Sequence, residues 1–160
     1  AAATAIARAW AIQGKKPIVT VRPFSVYGPG EAAHRFIPTA IRSAISSESM
    51  KVAHGVHDWI YIDDFIDGLL EVVDHAAELS GYCINIGSGL QYSNAEVLDI
   101  VENISGRKII KEEVGRLRDY DTLHSWVADN SLLRSFGWQP KVRLEEGIRK
   151  TYEGIREKNH

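Results

Sequence analysis

The residues best able to do chemistry in this sequence fall in a few short segments. His54, His57 and Asp58 lie close enough to suggest a metal. Histidines three apart on a loop, with no clear third donor, do not make a tetrahedral site, and no metal is expected. Gly87-Ser88-Gly89 follows an apolar run, but it lacks the third glycine and the later acidic residue of a dinucleotide-binding loop. Hydride chemistry needs a proton donor beside the reacting carbon, commonly a tyrosine whose phenolate is favoured by a nearby cation. None of the six tyrosines has a lysine four residues on, and Tyr152 is followed at that spacing by Arg156. Serine, histidine and aspartate are all present, yet no serine has the strand–turn–helix setting of a nucleophile elbow. No catalytic residue is assigned.

Apolar periodicity indicates the elements that must position these groups. Ala3, Ile6, Ala7 and Trp10 recur at helical spacing up to Gly14. Residues 17 to 22 read as a buried strand stopped by Pro23, and 24 to 30 as a loop with Gly-Pro-Gly at its end. Phe36, Ile37, Ala40, Ile41, Ala44 and Ile45 form a helical face over about 33 to 46, with Pro38 limiting its start. A short extended segment ends at Ile62. Asp64 is then expected to cap a helix over about 65 to 77, with Phe65, Leu69, Val72, Val73 and Ala76 inward. A strand over 82 to 86 is followed by a capping box, Ser93 with Glu96, for a helix closed by Gly106. A strand near 108 to 112, a short helix capped by Asp129 and stopped by Gly137, and an amphipathic helix marked by Leu144, Ile148 and Tyr152 complete the chain. The order is α/β.

A chain of 160 residues fits one domain, 1–160, able to bury a core of its own. Hydrophobic residues make up 44% and charged residues 25%, with a net charge of -2 and no dense basic run, so nucleic acid is not an expected partner. The single cysteine, Cys83, lies in an apolar run and reads as an inert buried thiol. No run approaches the ~20 apolar residues of a membrane span. The opening residues lack a basic leader and are interrupted by Arg8, so no signal peptide is read and a cytoplasmic location is expected. Trp10, Trp59, Trp126 and Trp138 read as packing aromatics, Trp10 with partners upstream.

Four blocks, in order, resemble the extended short-chain dehydrogenase/reductase family in its NAD-dependent epimerase/dehydratase branch. They are Arg22-Pro23-Phe24-Ser25-Val26-Tyr27-Gly28-Pro29-Gly30, His57-Asp58-Trp59-Ile60-Tyr61-Ile62-Asp63-Asp64, Tyr82-Cys83-Ile84-Asn85-Ile86-Gly87-Ser88-Gly89, and Phe136-Gly137-Trp138-Gln139-Pro140 leading into Leu144-Glu145-Glu146-Gly147-Ile148. The resemblance implies a Rossmann-like α/β fold, truncated, with this chain as the C-terminal substrate-binding portion. It also implies that the chain starts in the helix that carries the family's Tyr-x-x-x-Lys pair, just after the lysine. On that reading NAD or NADP belongs to the complete fold and is not bound by this chain alone.

Residue by residue, the resemblance places Pro23, Val26 and Tyr27 beside the cofactor's nicotinamide and Ser25 beside the substrate. Ser25 stands where many members have asparagine, and a local turn cap is an equal reading of its hydroxyl. His57 stands where the family has a phosphate-meeting arginine next to an aspartate, here Asp58. Histidine is mostly neutral at pH 7 and lacks the bidentate fork. Arg118 resembles the arginine that grips a diphosphate; Arg116 is the rival alignment, and a solvated arginine the third possibility. Two functions follow: a non-catalytic module that binds a nucleotide-sugar or assembles as a homodimer through its first helix, or a fragment of an NAD-dependent epimerase or dehydratase whose N-terminal half is missing. The chain alone is expected to be inactive.

Overall fold

The computed structural model describes residues 2–115 and 125–157. Helix α1 spans Ala2–Gly14 and leads to β1, Thr20–Pro23, and β2, Ser25–Tyr27. Helix α2 (Phe36–Ser46) precedes β3 (Met50–Val52), β4 (Val56–His57) and β5 (Trp59–Tyr61). Next come α3 (Ile62–Asp74), β6 (Cys83–Ile86), β7 (Tyr92–Ser93) and α4 (Asn94–Ser105). The described chain ends with β8 (Lys111–Glu113), α5 (Ser131–Ser135) and α6 (Leu144–Glu157).

The strands 20–23 and 25–27 are one extended segment that changes partner. β1 runs parallel to β6, with Thr20 opposite Cys83 and Pro23 opposite Ile86. At Phe24 the N–H still donates to Ile86 O, 3.0 Å, and one residue later Ser25 N donates to Asp58 O, 3.0 Å. From there β2 is parallel to β5, with Ser25 opposite Trp59. The segment thus forks two parallel ladders apart, and such a switch of partner at the carboxyl end of a strand opens a crevice. Two further ladders are present, β3 with β8 parallel and β4 with β7 antiparallel.

Two apolar cores flank this fork. Ile60, Val72, Ile84, Ile86, Leu133 and Trp138 fill one, joining β5, α3, β6 and α5. Tyr27, Ile37, Ile41, Val97, Val101 and Ile148 anchor the other, where α2, α4 and α6 pack on one another. Both are built from side chains at helical or strand period, the pattern that buries one face of each element.

Several sequence expectations hold and others need correction. The capping box forms: Glu96 N donates to Ser93 Oγ at 3.2 Å, Ser93 N donates to Glu96 Oε2 at 2.7 Å, and Gly106 ends α4 at φ 67. Asp64 does not cap α3. The helix starts earlier, at Ile62 behind Tyr61, because the Asp64 carboxylate is drawn inward to accept the N–H groups of Lys141 and Val142 at 3.0 and 2.9 Å. The inner face of α3 is therefore Asp64, Gly68 and Val72, while Leu69 and Val73 point outward. Gly68 allows that rotation, since a Cβ there would sit 3.0 Å from the Trp138 ring.

The inward face of the first helix lies beside its apolar stripe and shares only Ala7 with it. Ala11 is buried and Thr4 and Ala7 are half-buried, whereas Ile6 and Trp10 are 59% and 67% exposed. Trp126 is also largely open, so of the four tryptophans only Trp59 and Trp138 are core residues. Cys83 is half-buried, because strand alternation turns Ile84 and Ile86 inward instead. β1 begins at Thr20, and the strand expected near 108 is displaced to Lys111–Glu113, all exposed.

Candidate functional site

Asp58 sits at the fork, fully buried. Its main-chain oxygen takes the Ser25 N–H, and its carboxylate accepts four further bonds. Ser88 N and Ser88 Oγ donate to Oδ1, both at 2.7 Å; Gly89 N and Ala128 N donate to Oδ2 at 2.9 and 3.0 Å. A buried carboxylate needs such partners to offset its lost hydration. Here they bind the loop after β6 and the segment before α5 to the start of β5. Gly87 makes this approach possible, because a Cβ there would meet Ala128 Cβ at 2.5 Å.

Beside the fork lies a cavity of about 360 Å³. Ser25 enters it from β2, His57 from β4, Trp59 from β5 and Lys51 from β3, while Arg35 and Phe36 close it at the start of α2. Its floor is aromatic: Phe36 stacks on Trp59 with centroids 5.9 Å apart and planes 26° apart, and His57 meets the Trp59 edge at 5.3 Å. Trp126, held by a 2.8 Å bond from its main-chain N–H to Gln91 Oε1, completes the wall. Polar atoms converge on it as well. Trp59 Nε1 and Asn94 Oδ1 are buried without a partner, while Asn94 Nδ2 donates to Ala53 O at 2.9 Å. Native buried polar groups are nearly always paired, so unpaired ones on a cavity wall point to a ligand or ordered water.

Charge at the rim is positive with one exception. Arg35 Nε donates to Glu31 Oε1 at 3.1 Å, and the second Glu31 oxygen is buried without a partner. Burial lifts the Glu31 pKa above the usual carboxylate value, against the pull of Arg35 and the nearby His34. Arg35 Nη1 and Nη2 make no hydrogen bond among the described residues, leaving the fork of its guanidinium open.

A second hollow, about 270 Å³, lies on the other side of Glu31, walled by Val26, Tyr27, Gly28, Pro29 and Ile62. Close packing of loop on helix shapes it: a Cβ on Gly28 would sit 2.5 Å from Ile62 Cγ2. Tyr27 belongs to its wall but is almost wholly buried. Its ring is buried and its hydroxyl donates to Leu144 O at 3.2 Å. Desolvation first, and then nearby acidic groups, push its pKa far above the ordinary phenol value.

The structure thus brings two of the expected substrate residues, Ser25 and His57, into one cavity, and two of the expected cofactor residues, Val26 and Tyr27, into its neighbour. Pro23 is at the exposed end of β1. Arg116 and Arg118 lie outside the described residues. The Ser25 hydroxyl makes no hydrogen bond among the described residues. Ser88 and Gly89 spend their N–H groups on Asp58 and do not form a phosphate cradle. Sequence reasoning missed Glu31, Arg35, Lys51, Asn94 and Trp126. The opposite charges of Glu31 and Arg35 four residues apart were the one available signal.

Comparison with known proteins agrees with this arrangement. The model of the NAD dependent epimerase/dehydratase family matches residues 1–87. A dTDP-glucose 4,6-dehydratase of Shigella flexneri is 27% identical over 159 residues, covering 92% of this chain and 43% of that protein. A dTDP-glucose 4,6-dehydratase of Bacillus anthracis, solved in complex with NAD, superposes with a TM-score of 0.85 at 22% identity, over 96% of this chain and 49% of that one. That likeness carries the fold. A UDP-glucuronic acid 4-epimerase of Bacillus cereus, in complex with UDP-glucuronic acid and NAD, superposes at 0.85 with 25% identity, again over 96% of this chain and 49% of the other. The chain spans about half the length of the relatives it matches.

These findings correct the expectations that rested on where residue 1 falls in the family pattern. The truncated fold class and the C-terminal-portion-only identification give way to a Rossmann-like α/β arrangement that runs through the chain and superposes over 96% of it. The physical reason is that the described residues close two cores of their own. The readings as a non-catalytic module and as a fragment both rested on that premise and are withdrawn with it, as is the inference that the chain is inactive; the chain itself spans about half the length of those relatives. The expectation that this chain alone binds neither NAD nor NADP is corrected by the same superpositions, since the dehydratase and the epimerase that match 96% of it hold NAD in their own structures. Among the described residues no helix is long and apolar enough to cross a membrane.

Proposed function

The chain belongs to the NAD-dependent epimerase/dehydratase family, and from that premise we propose that it acts on a nucleotide-sugar, held in the cavity beside the fork. The observation that carries this reading is the convergence of Ser25, His57, Arg35 and Lys51 on one cavity with an aromatic floor. A diphosphate offers the anionic charge that Arg35 and Lys51 complement, with His57 as a weaker third group. The flat faces of Phe36, Trp59 and Trp126 suit a planar base and keep water from it. Ser25 offers a hydroxyl that can both donate and accept toward a sugar. Arg118, with Arg116 as its rival, stays a proposed diphosphate contact.

For the cofactor, the fit rests on the second hollow. Its walls at Val26, Tyr27 and Gly28 suit a flat ring such as nicotinamide, with Pro23 at the end of β1 in the same extended segment. NAD, when bound, supplies a hydride acceptor for a sugar carbon. The chain's own contribution is to set the two hollows side by side, with Glu31 on the wall of both. The same reading includes a homodimer formed through the exposed Ile6 and Trp10 stripe of α1, since uncovered apolar faces of this kind mark association sites. We also propose a cytoplasmic setting, as a lone half-buried thiol calls for no oxidising compartment.

Incubation with NAD and UDP- or dTDP-hexoses, followed by mass spectrometry and proton NMR, tests the reading. Loss of one water identifies a dehydratase, and inversion at a sugar carbon with unchanged mass identifies an epimerase. Intact substrate under all these conditions contradicts the proposal.

A further inference from the structure

We propose that Glu31 is a proton-linked positioning residue of the cavity: it aims Arg35 at the anionic ligand and takes up a proton as that anion arrives. The inference rests on the nucleotide-sugar reading and adds a pH-dependent control to it.

Four observations converge on this residue. Glu31 Oε1 accepts from Arg35 Nε at 3.1 Å, which leaves both terminal nitrogens of the guanidinium free to form a bidentate pair with a phosphate. The side chain of Arg35 is 47% exposed while that of Glu31 is 13% exposed, so the cation can reach the ligand but its carboxylate partner cannot retreat to water. Glu31 Oε2 is buried with no partner, the position at which a proton would sit. Glu31 is also a wall of both hollows, so an anion in the larger one must lie near it.

The charged and titratable groups acting on Glu31 are Arg35 and His34 on its own segment; Lys51 of β3 and His57 of β4 line the same cavity. Burial already places the Glu31 pKa above the ordinary carboxylate value. A diphosphate that engages Arg35 withdraws the cation's stabilisation and adds like charge, and both effects raise the pKa further. A group whose pKa is higher in the complex than in the free protein strengthens binding when protonated. Affinity is therefore greatest below the free-state pKa, falls as pH rises through it, and levels off above the bound-state pKa.

Calorimetric titration of the full chain with UDP-glucose, whose diphosphate does not itself titrate between pH 5 and 8, tests this in two buffers of different ionisation enthalpy. The decisive quantity is the difference between wild type and Glu31→Gln, which share every other charged group of the cavity. Glutamine keeps an oxygen for Arg35 Nε but cannot change its charge. The wild type is expected to take up more protons on binding than Glu31→Gln, and to lose at least about threefold more affinity between pH 5 and 7.5, tenfold for each unit of pKa difference. Arg35→Ala should weaken binding at least tenfold, and Arg35→Lys should recover part of it. UDP-glucose binding with identical proton uptake and pH profile in wild type and Glu31→Gln overturns the inference while leaving the substrate reading intact. No UDP-glucose binding by the wild type overturns both.

Discussion

The carboxylate of Asp58 accepts the backbone N–H of Ala128, 70 residues away, at 3.0 Å. That bond fastens the segment carrying Trp126 to the fork whose other side carries Ser25 and His57. The site is thereby assembled from four distant parts of the chain by one buried carboxylate. Asp58→Ala would leave the N–H groups of Ser88, Gly89 and Ala128 without a partner. The expected cost is about 3–5 kcal/mol of folding stability in urea denaturation. Asp63→Ala, on the exposed side of α3, should cost under about 0.5 kcal/mol.

Gly147 lets α6 lie directly on the Tyr27 ring, since any Cβ there would overlap the phenol oxygen. Gly147→Ala should gain helix propensity yet lose about 1–3 kcal/mol net, because overpacking against a fully buried ring dominates. Gly106→Ala probes a different effect: space is open there, but φ is +67, so the loss should be about 1 kcal/mol from backbone strain alone.

Glu102 is buried, and desolvation opposes its ionisation. Contacts to Lys108, to the Ile109 N–H and to Lys111 outweigh that opposition and hold its pKa at about 2, below the ordinary 4.5. A depressed folded-state pKa adds stability above the unfolded value, and that stability is lost as pH falls from about 4.5 toward 2. With Lys108 largely in solvent, the contribution is on the order of 1–2 kcal/mol. Thermal melts of wild type and Glu102→Gln should differ at pH 6 and converge near pH 2.

The stripe on α1 makes a separate claim. Sedimentation velocity across a concentration series should show a dimer of the 17.8 kDa chain, dissociated by Trp10→Glu. The Trp10 substitution should leave thermal stability of the monomer nearly unchanged, because Trp10 is 67% exposed.

Local signals in the sequence read well where local physics decides. The capping box of Ser93 and Glu96 and the left-handed Gly106 satisfy bonds within a few residues, and both appear as expected. Asp64 looked like a helix cap from its neighbours alone; its partners, Lys141 and Val142, are far off in sequence, and burying two backbone donors outweighed the local choice. The Leu69 and Val73 face of α3 was misplaced for the same kind of reason, because Trp138 packs against Gly68. Ser25 and His57 were legible as a pair through ordered motifs. Glu31, Arg35 and Lys51 were not, since only the return of β3 beside the start of α2 brings them together.

Protein-observed NMR of the four indole N–H groups tests the central claim, that the cavity beside the fork holds a nucleotide-sugar. Trp59 and Trp126 line that cavity, whereas Trp10 stands on the outer face of α1 and the Trp138 N–H donates to Asp64 O at 3.2 Å on the far side of α3. On titration with UDP-glucose, the Trp59 and Trp126 signals should shift together along one saturable curve, the Trp59 signal most because its N–H lacks a partner in the free protein. Trp10 and Trp138 should stay in place. Saturable shifts confined to Trp10 or Trp138, or four unmoved signals at millimolar ligand, would contradict it.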